Sequence, residues 1–144
     1  AFFVRRKDGA VLVRTRPEKG LLGGMTEIPG TAWEIQFEGA SAASQAPVAA
    51  CYRKLDMSVS HAFTHFALRL DIYVADVGSG RRAPAGYRFV PDCRLDKEAF
   101  PSVMRKIIEA VRENATLERR AAKRALVRGP KSRQDIDYPS PEIA

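Results

Sequence analysis

The sequence predicts an α+β (or α/β) domain, a mixed β-sheet with flanking helices, on three observations. Ala1-Phe2-Phe3-Val4-Arg5-Arg6 and Ala10-Val11-Leu12-Val13-Arg14-Thr15 flank an Asp8-Gly9 pair, a strong hairpin signal. Phe66, Leu68, Leu70, Ile72 and Val74 alternate with Ala67, Arg69, Asp71 and Tyr73, as a half-buried strand does. Val103, Met104, Ile107, Ile108 and Val111 recur at helical spacing behind Pro101, so a helix begins there and packs this face, Met104 included, on the sheet.

The remaining elements follow in order. Two antiparallel strands open the domain. Gly20-Leu21-Leu22-Gly23-Gly24-Met25 and Glu27-Ile28-Pro29-Gly30 hold too much glycine and proline for regular structure, so a packed loop feeding a short strand is expected. Its glycines serve close backbone approach; the Walker spacing and GxGxxG are both absent. Pro47 to Leu55 reads as a helix with Pro47 in its first turn. After the strand to Val77, residues 78–84 form a loop, 86–90 a short last strand, 116–128 a basic, alanine-rich helix closed by Gly129-Pro130, and 131–144 a disordered tail.

The informative place is His61-Ala62-Phe63-Thr64-His65-Phe66, which holds both histidines of the chain. Val59 and Phe63 share one parity, and the apolar residues from Phe66 onward take the other. One strand cannot do both, because a slip of one residue turns every side chain to the other face. The chain is therefore expected to turn or bulge at Phe63-Thr64-His65 and to project a ring, a hydroxyl and an imidazole, with His61 supporting the tip.

Composition bounds the function. With 144 residues, 45% hydrophobic and 28% charged, the chain suffices for one domain with a real core plus a tail. It has no apolar run of about 18 residues and no signal-peptide layout, which points to a soluble, intracellular, cytoplasmic chain with no membrane partner. The start inside an apolar run suggests a fragment of something longer. Cys51 and Cys93 lack CxxC spacing and are expected to be buried free thiols. The net charge of +7 is concentrated: residues 112–133 carry +6, residues 1–111 carry +4, and the last eleven carry −3. A basic stretch of this kind fits a phosphate backbone and equally a solvated helical face.

Four pieces of the chain also occur in a recognisable order. They are Arg16-Pro17-Glu18-Lys19-Gly20-Leu21-Leu22-Gly23-Gly24-Met25, Ile28-Pro29 with Trp33, the tip at 61–66, and Phe100-Pro101-Ser102-Val103-Met104-Arg105-Lys106. Together they resemble the C-terminal domain of the A/G-mismatch-specific adenine DNA glycosylases, a Nudix-like domain that reads 8-oxoguanine opposite adenine. The resemblance covers residues 1–111 and sets 112–144 apart as a basic helix and tail. It implies that Phe63, Thr64 and His65 bind the lesion, that the partner is duplex DNA containing 8-oxoguanine:adenine, and that base-excision repair is the setting. The resemblance also implies a separate N-terminal glycosylase domain carrying an iron–sulphur cluster on four cysteines. Two cysteines cannot supply that cluster, so this chain is expected to hold no cofactor and no metal, to have no catalytic residue and to bind without cutting.

The sequence departs from the family pattern at Thr26, where a Trp is usual. It also departs from the hydrolases that share this fold. Their metal-binding box R-E-x-x-E-E-x-G should follow the Pro-Gly; Glu34 and Glu38 are too few and too early, and residues 39–55 contain no acidic residue, which disfavours the alternative of a hydrolase acting on oxidised nucleoside triphosphates. A general basic nucleic-acid adaptor working through 112–133 is a third reading. Arg14, Arg16, Arg81, Arg82, Arg119, Arg120, Lys123 and Arg124 are candidate phosphate contacts, against the common alternative of solvated surface charge.

Overall fold

The computed structural model describes residues 1–34 and 39–127. Expectations for 128–144, including the closing Gly129-Pro130, fall outside them. Strands β1 (Phe2–Arg6), β2 (Val11–Thr15), β3 (Thr26–Glu27), β4 (Arg53–Ala62), β5 (Ala67–Val77) and β6 (Tyr87–Val90) form one sheet in the order β3-β2-β1-β5-β4, with β6 also paired to β2. The sheet is mixed: β1 runs parallel to β5, from Phe2 opposite Tyr73 to Arg6 opposite Val77, whereas the other pairings are antiparallel.

The β1–β2 turn takes three residues because Gly9, at φ 92°, can adopt the left-handed conformation that closes it. The Arg6 N–H donates to the Ala10 carbonyl at 2.7 Å and Asp8 Oδ1 accepts from the Ala10 N–H at 3.2 Å. Helix α1 (Ser102–Val127) follows Pro101, whose carbonyl accepts from the Arg105 N–H. Its Val103, Met104, Ile107, Ile108 and Val111 are all buried, in one core with Val11, Val13, Ile28, Leu70 and Ile72. A smaller cluster of Val4, Leu12 and Val48, flanked by Tyr52 and Phe89, is buried separately. Contacts divide the chain after Val111, and α1 runs without a break to Val127.

Two expectations are corrected. Residues 47–55 are not helical. A 3-10 helix spans Gly39–Gln45, the chain is irregular to Tyr52, and β4 begins at Arg53. Val48 and Tyr52 have helical spacing, but Val48 is buried in the smaller cluster and its carbonyl accepts from the Tyr52 hydroxyl at 2.8 Å. Leu55 and Val59 gain more as inward residues of a strand paired to β5, so tertiary pairing overrides the local pattern. The second correction concerns Cys51 and Cys93, which are free but exposed. Cys51 lies in that irregular approach to β4, and in the 3-10 helix Asp92–Lys97 it is Leu95, not Cys93, that turns into the core.

Thr26 is buried, and its hydroxyl donates to Glu98 Oε2 at 3.0 Å. Arg88 donates to both Glu98 oxygens at 2.8 and 2.7 Å, and these bonds hold the Glu98 carboxyl below the usual carboxylate range. A small polar network thus stands at the position where a large packing ring is usual.

Candidate nucleic-acid interface

The tip is the four-residue connection Phe63–Phe66 between β4 and β5. Ala62 pairs with Ala67 and Val59 with Leu70, so odd positions on β4 lie opposite even positions on β5. That register explains the parity change, because a hairpin with an even number of loop residues exchanges parities without turning any apolar residue outward. The Phe63 N–H donates to the Phe66 carbonyl at 2.7 Å and closes the loop.

Thr64 and His65 are exposed, and among the described residues neither side chain makes a hydrogen bond or ring contact, so both are available to a ligand. Phe63 does not project with them as the sequence reading expected. It is half-buried, packed against the main core and enclosed by His61 at 4.7 Å, Phe66 at 4.8 Å and Trp33 at 5.9 Å between ring centroids. The ring left in solvent is Phe66, 44% exposed and stacked on Phe63 with 27° between the planes. Burying Phe63 anchors the loop to the core, whereas a four-residue turn closed by one backbone bond would otherwise be mobile.

Behind the tip runs a chain of contacts reaching the sheet. Glu27 on β3 is buried and accepts from Arg14 Nε and, at 2.6 Å, from Arg16 Nη1. Arg16 also donates from Nε to the Leu21 carbonyl at 3.1 Å and lays its guanidinium over the Trp33 ring, 4.7 Å from the centroid. Trp33 then meets Phe63 and Phe66. On the other side, Lys106 of α1 approaches His61 Nδ1 at 3.0 Å and donates to the Ser60 carbonyl at 3.3 Å. An ammonium has no lone pair, so in this contact Nδ1 is the acceptor. His61 supports the tip, as expected from the sequence.

Of the proposed phosphate contacts, Arg14 and Arg16 are engaged by Glu27. Arg81 and Arg82 are exposed in the loop after β5. The 11 residues of β5 separate them from the tip by roughly 35 Å at about 3.3 Å per residue. Arg119, Arg120, Lys123 and Arg124 are exposed on α1 beyond Val111. Sequence reasoning did not join Trp33 and Lys106 to the tip; their contacts with it span 30 to 46 positions and leave no periodicity to read.

A cleft of about 410 Å³ lies beside this chain of contacts, lined by Arg14, Arg16, Glu27, Trp33, Met104 and Ile107 among others. Among the described residues its one carboxylate is Glu27, already shared by two guanidinium groups. Among the described residues no three His, Cys, Asp or Glu side chains gather as a metal would require, and no helix is long and apolar enough to cross a membrane.

Residues 1–110 match the family model of the NUDIX domain. The chain belongs to the NUDIX domain family. Its fold is similar to the C-terminal domain of mouse MUTYH, solved in complex with human PCNA, with a TM-score of 0.61 and 19% identity over 80% of this chain and 86% of that one. It is similar as well to the MutT protein of Methanosarcina mazei Go1, with a TM-score of 0.59 and 18% identity over 78% and 91%. The Nudix hydrolase RenU of M. smegmatis gives 0.54 and 19% over 81% and 82%. At these identities the likeness establishes a shared fold, the mixed sheet with its packed helix. A sequence comparison with curated proteins gives no match.

Proposed function

We propose that this NUDIX domain is the lesion-recognition domain of an adenine DNA glycosylase, reading 8-oxoguanine opposite adenine in duplex DNA for base-excision repair. The observation that carries the reading is the exposed Thr64-His65 pair held at the end of an aromatic-backed hairpin. Oxidation at guanine C8 turns N7 from an acceptor into an N–H donor and adds O8 as an acceptor. A hydroxyl that accepts from N7–H, beside a backbone N–H that reaches O8, tells the lesion from guanine, and each well-placed base contact is worth about 1–3 kcal/mol. Thr64 has such a hydroxyl without a competing partner.

The NUDIX hydrolases of similar fold supply the competing reading. Hydrolysis of a nucleoside diphosphate linkage needs carboxylates to hold divalent metal, and residues 39–55, where they belong, contain none. Glu27 faces two arginines instead. The domain on this account binds and leaves excision to a separate glycosylase domain with its iron–sulphur cluster, in a monomer working on the nucleoid.

Two assays on the same preparation separate the readings. Titration at moderate salt against duplexes carrying one 8-oxoguanine:adenine or guanine:adenine pair is expected to favour the lesion by at least about five-fold. Incubation of 8-oxo-dGTP with magnesium is expected to give no turnover. Equal binding to the two duplexes would refute lesion reading, and magnesium-dependent turnover abolished by Glu27→Gln would establish the hydrolase.

A further inference from the structure

Phe63 is the aromatic residue that the family resemblance assigns to the lesion, yet its ring is the one enclosed on three sides, by His61, Trp33 and Phe66. Its ring is half-buried and already in contact with three others. Phe66 rests on Phe63 at 4.8 Å, touches Trp33 at a centroid distance of 6.4 Å, and is 44% exposed. A large apolar ring in water, stacked on a rigid bed and next to two free polar side chains, is arranged to take an aromatic partner on its outer face.

Building on the lesion-reading function, we infer that Phe66 is the ring of this tip that stacks on a nucleobase of the lesion-bearing strand, with Phe63 and Trp33 as its bed. A nucleobase is the occupant favoured by charge. Residues 1–111 carry +4, and the exposed Lys106 is bonded at the root of the hairpin, to the Ser60 carbonyl. This positive charge suits the phosphates beside a stacked base, whereas an apolar protein surface would desolvate it. Arg16 belongs to the same arrangement as a positioning residue. It does not reach the tip, but it fixes the Trp33 plane against which both phenylalanines lie.

The test uses wild type, Phe66→Ala, Phe66→Leu and Phe66→Tyr, each checked for an unchanged melting temperature, titrated against 8-oxoguanine:adenine and guanine:adenine duplexes. Wild type is expected to prefer the lesion. Phe66→Ala and Phe66→Leu should each bind the lesion duplex about ten-fold or more weakly, and Phe66→Tyr should restore binding to within about two-fold, because stacking needs a π-face and not apolar bulk alone. If wild type discriminates and Phe66→Leu binds as tightly, the ring makes at most an apolar contact; the inference fails and the lesion-reading function stands. A wild type that binds both duplexes equally would remove that function and this inference with it.

Discussion

Arg16→Ala is expected to lower the unfolding free energy by about 2–4 kcal/mol. The substitution leaves the buried Glu27 carboxylate with Arg14 as its remaining partner, removes the bond to the Leu21 carbonyl, and strips the cation from the Trp33 face. Breaking a buried ion pair costs about 3–5 kcal/mol when a charge is left alone, and the surviving Arg14 keeps the loss below that limit. Arg16→Lys keeps the charge but cannot reproduce the fork that serves Glu27, Leu21 and the ring together, so it should recover less than half of the loss. Urea unfolding measures the effect. Trp33, the only tryptophan of the chain, reports the local change through its fluorescence. A loss under about 0.5 kcal/mol would mean that the contacts from Glu27 to Trp33 are incidental to the fold.

Phe63→Ala should be of comparable size, about 2–4 kcal/mol. A fully buried Phe→Ala replacement costs about 3–5 kcal/mol, and the ring is half-buried, but three aromatic neighbours lose their contact at once. Binding should suffer too. With its bed gone, Phe66 and the Thr64-His65 pair lose their fixed placement, and affinity for the lesion duplex should fall at least about ten-fold at a temperature where the variant remains folded. Phe63→Leu, which fills most of the same volume, should restore more stability than binding. Denaturant midpoints compared with duplex titrations give that split. Loss of binding without loss of stability would instead place Phe63 on the DNA and contradict its role as support.

Much of this arrangement was legible in the sequence, and the parts that were not share a cause. The Asp8-Gly9 turn, the strand ending at Val77 and the buried stripe from Val103 to Val111 are local patterns, and local patterns survive into the fold. The parity change at 61–66 located the hairpin tip for the same reason: register is a property of consecutive residues. Misreading Pro47 to Leu55 as helix followed from a spacing that two different clusters happened to share. The orientation of Phe63 was hidden because its enclosure depends on Trp33, which reaches it from 30 positions away, held in turn by Arg16. Glu27 carried no mark of burial in its local sequence, and only the convergence of β2 and β3 shows it buried between two arginines. At Thr26 the sequence showed only a departure from the family pattern. The structure shows a hydroxyl bonded to Glu98, 72 positions along the chain.

The central claim, that the tip distinguishes 8-oxoguanine by a hydroxyl accepting from N7–H, is tested most directly by titrating Thr64→Ala and Thr64→Ser against lesion and plain duplexes. Thr64 is exposed, so neither change should move the melting temperature. The serine variant keeps the hydroxyl and should match wild type. The alanine variant should bind plain duplex as wild type does and lose part of its preference for the lesion, by about five-fold or more, the equivalent of one base contact of about 1–3 kcal/mol, while the backbone contact to O8 preserves the remainder. A folded Thr64→Ala protein with undiminished preference would contradict the account and put the reading of the lesion elsewhere on the domain.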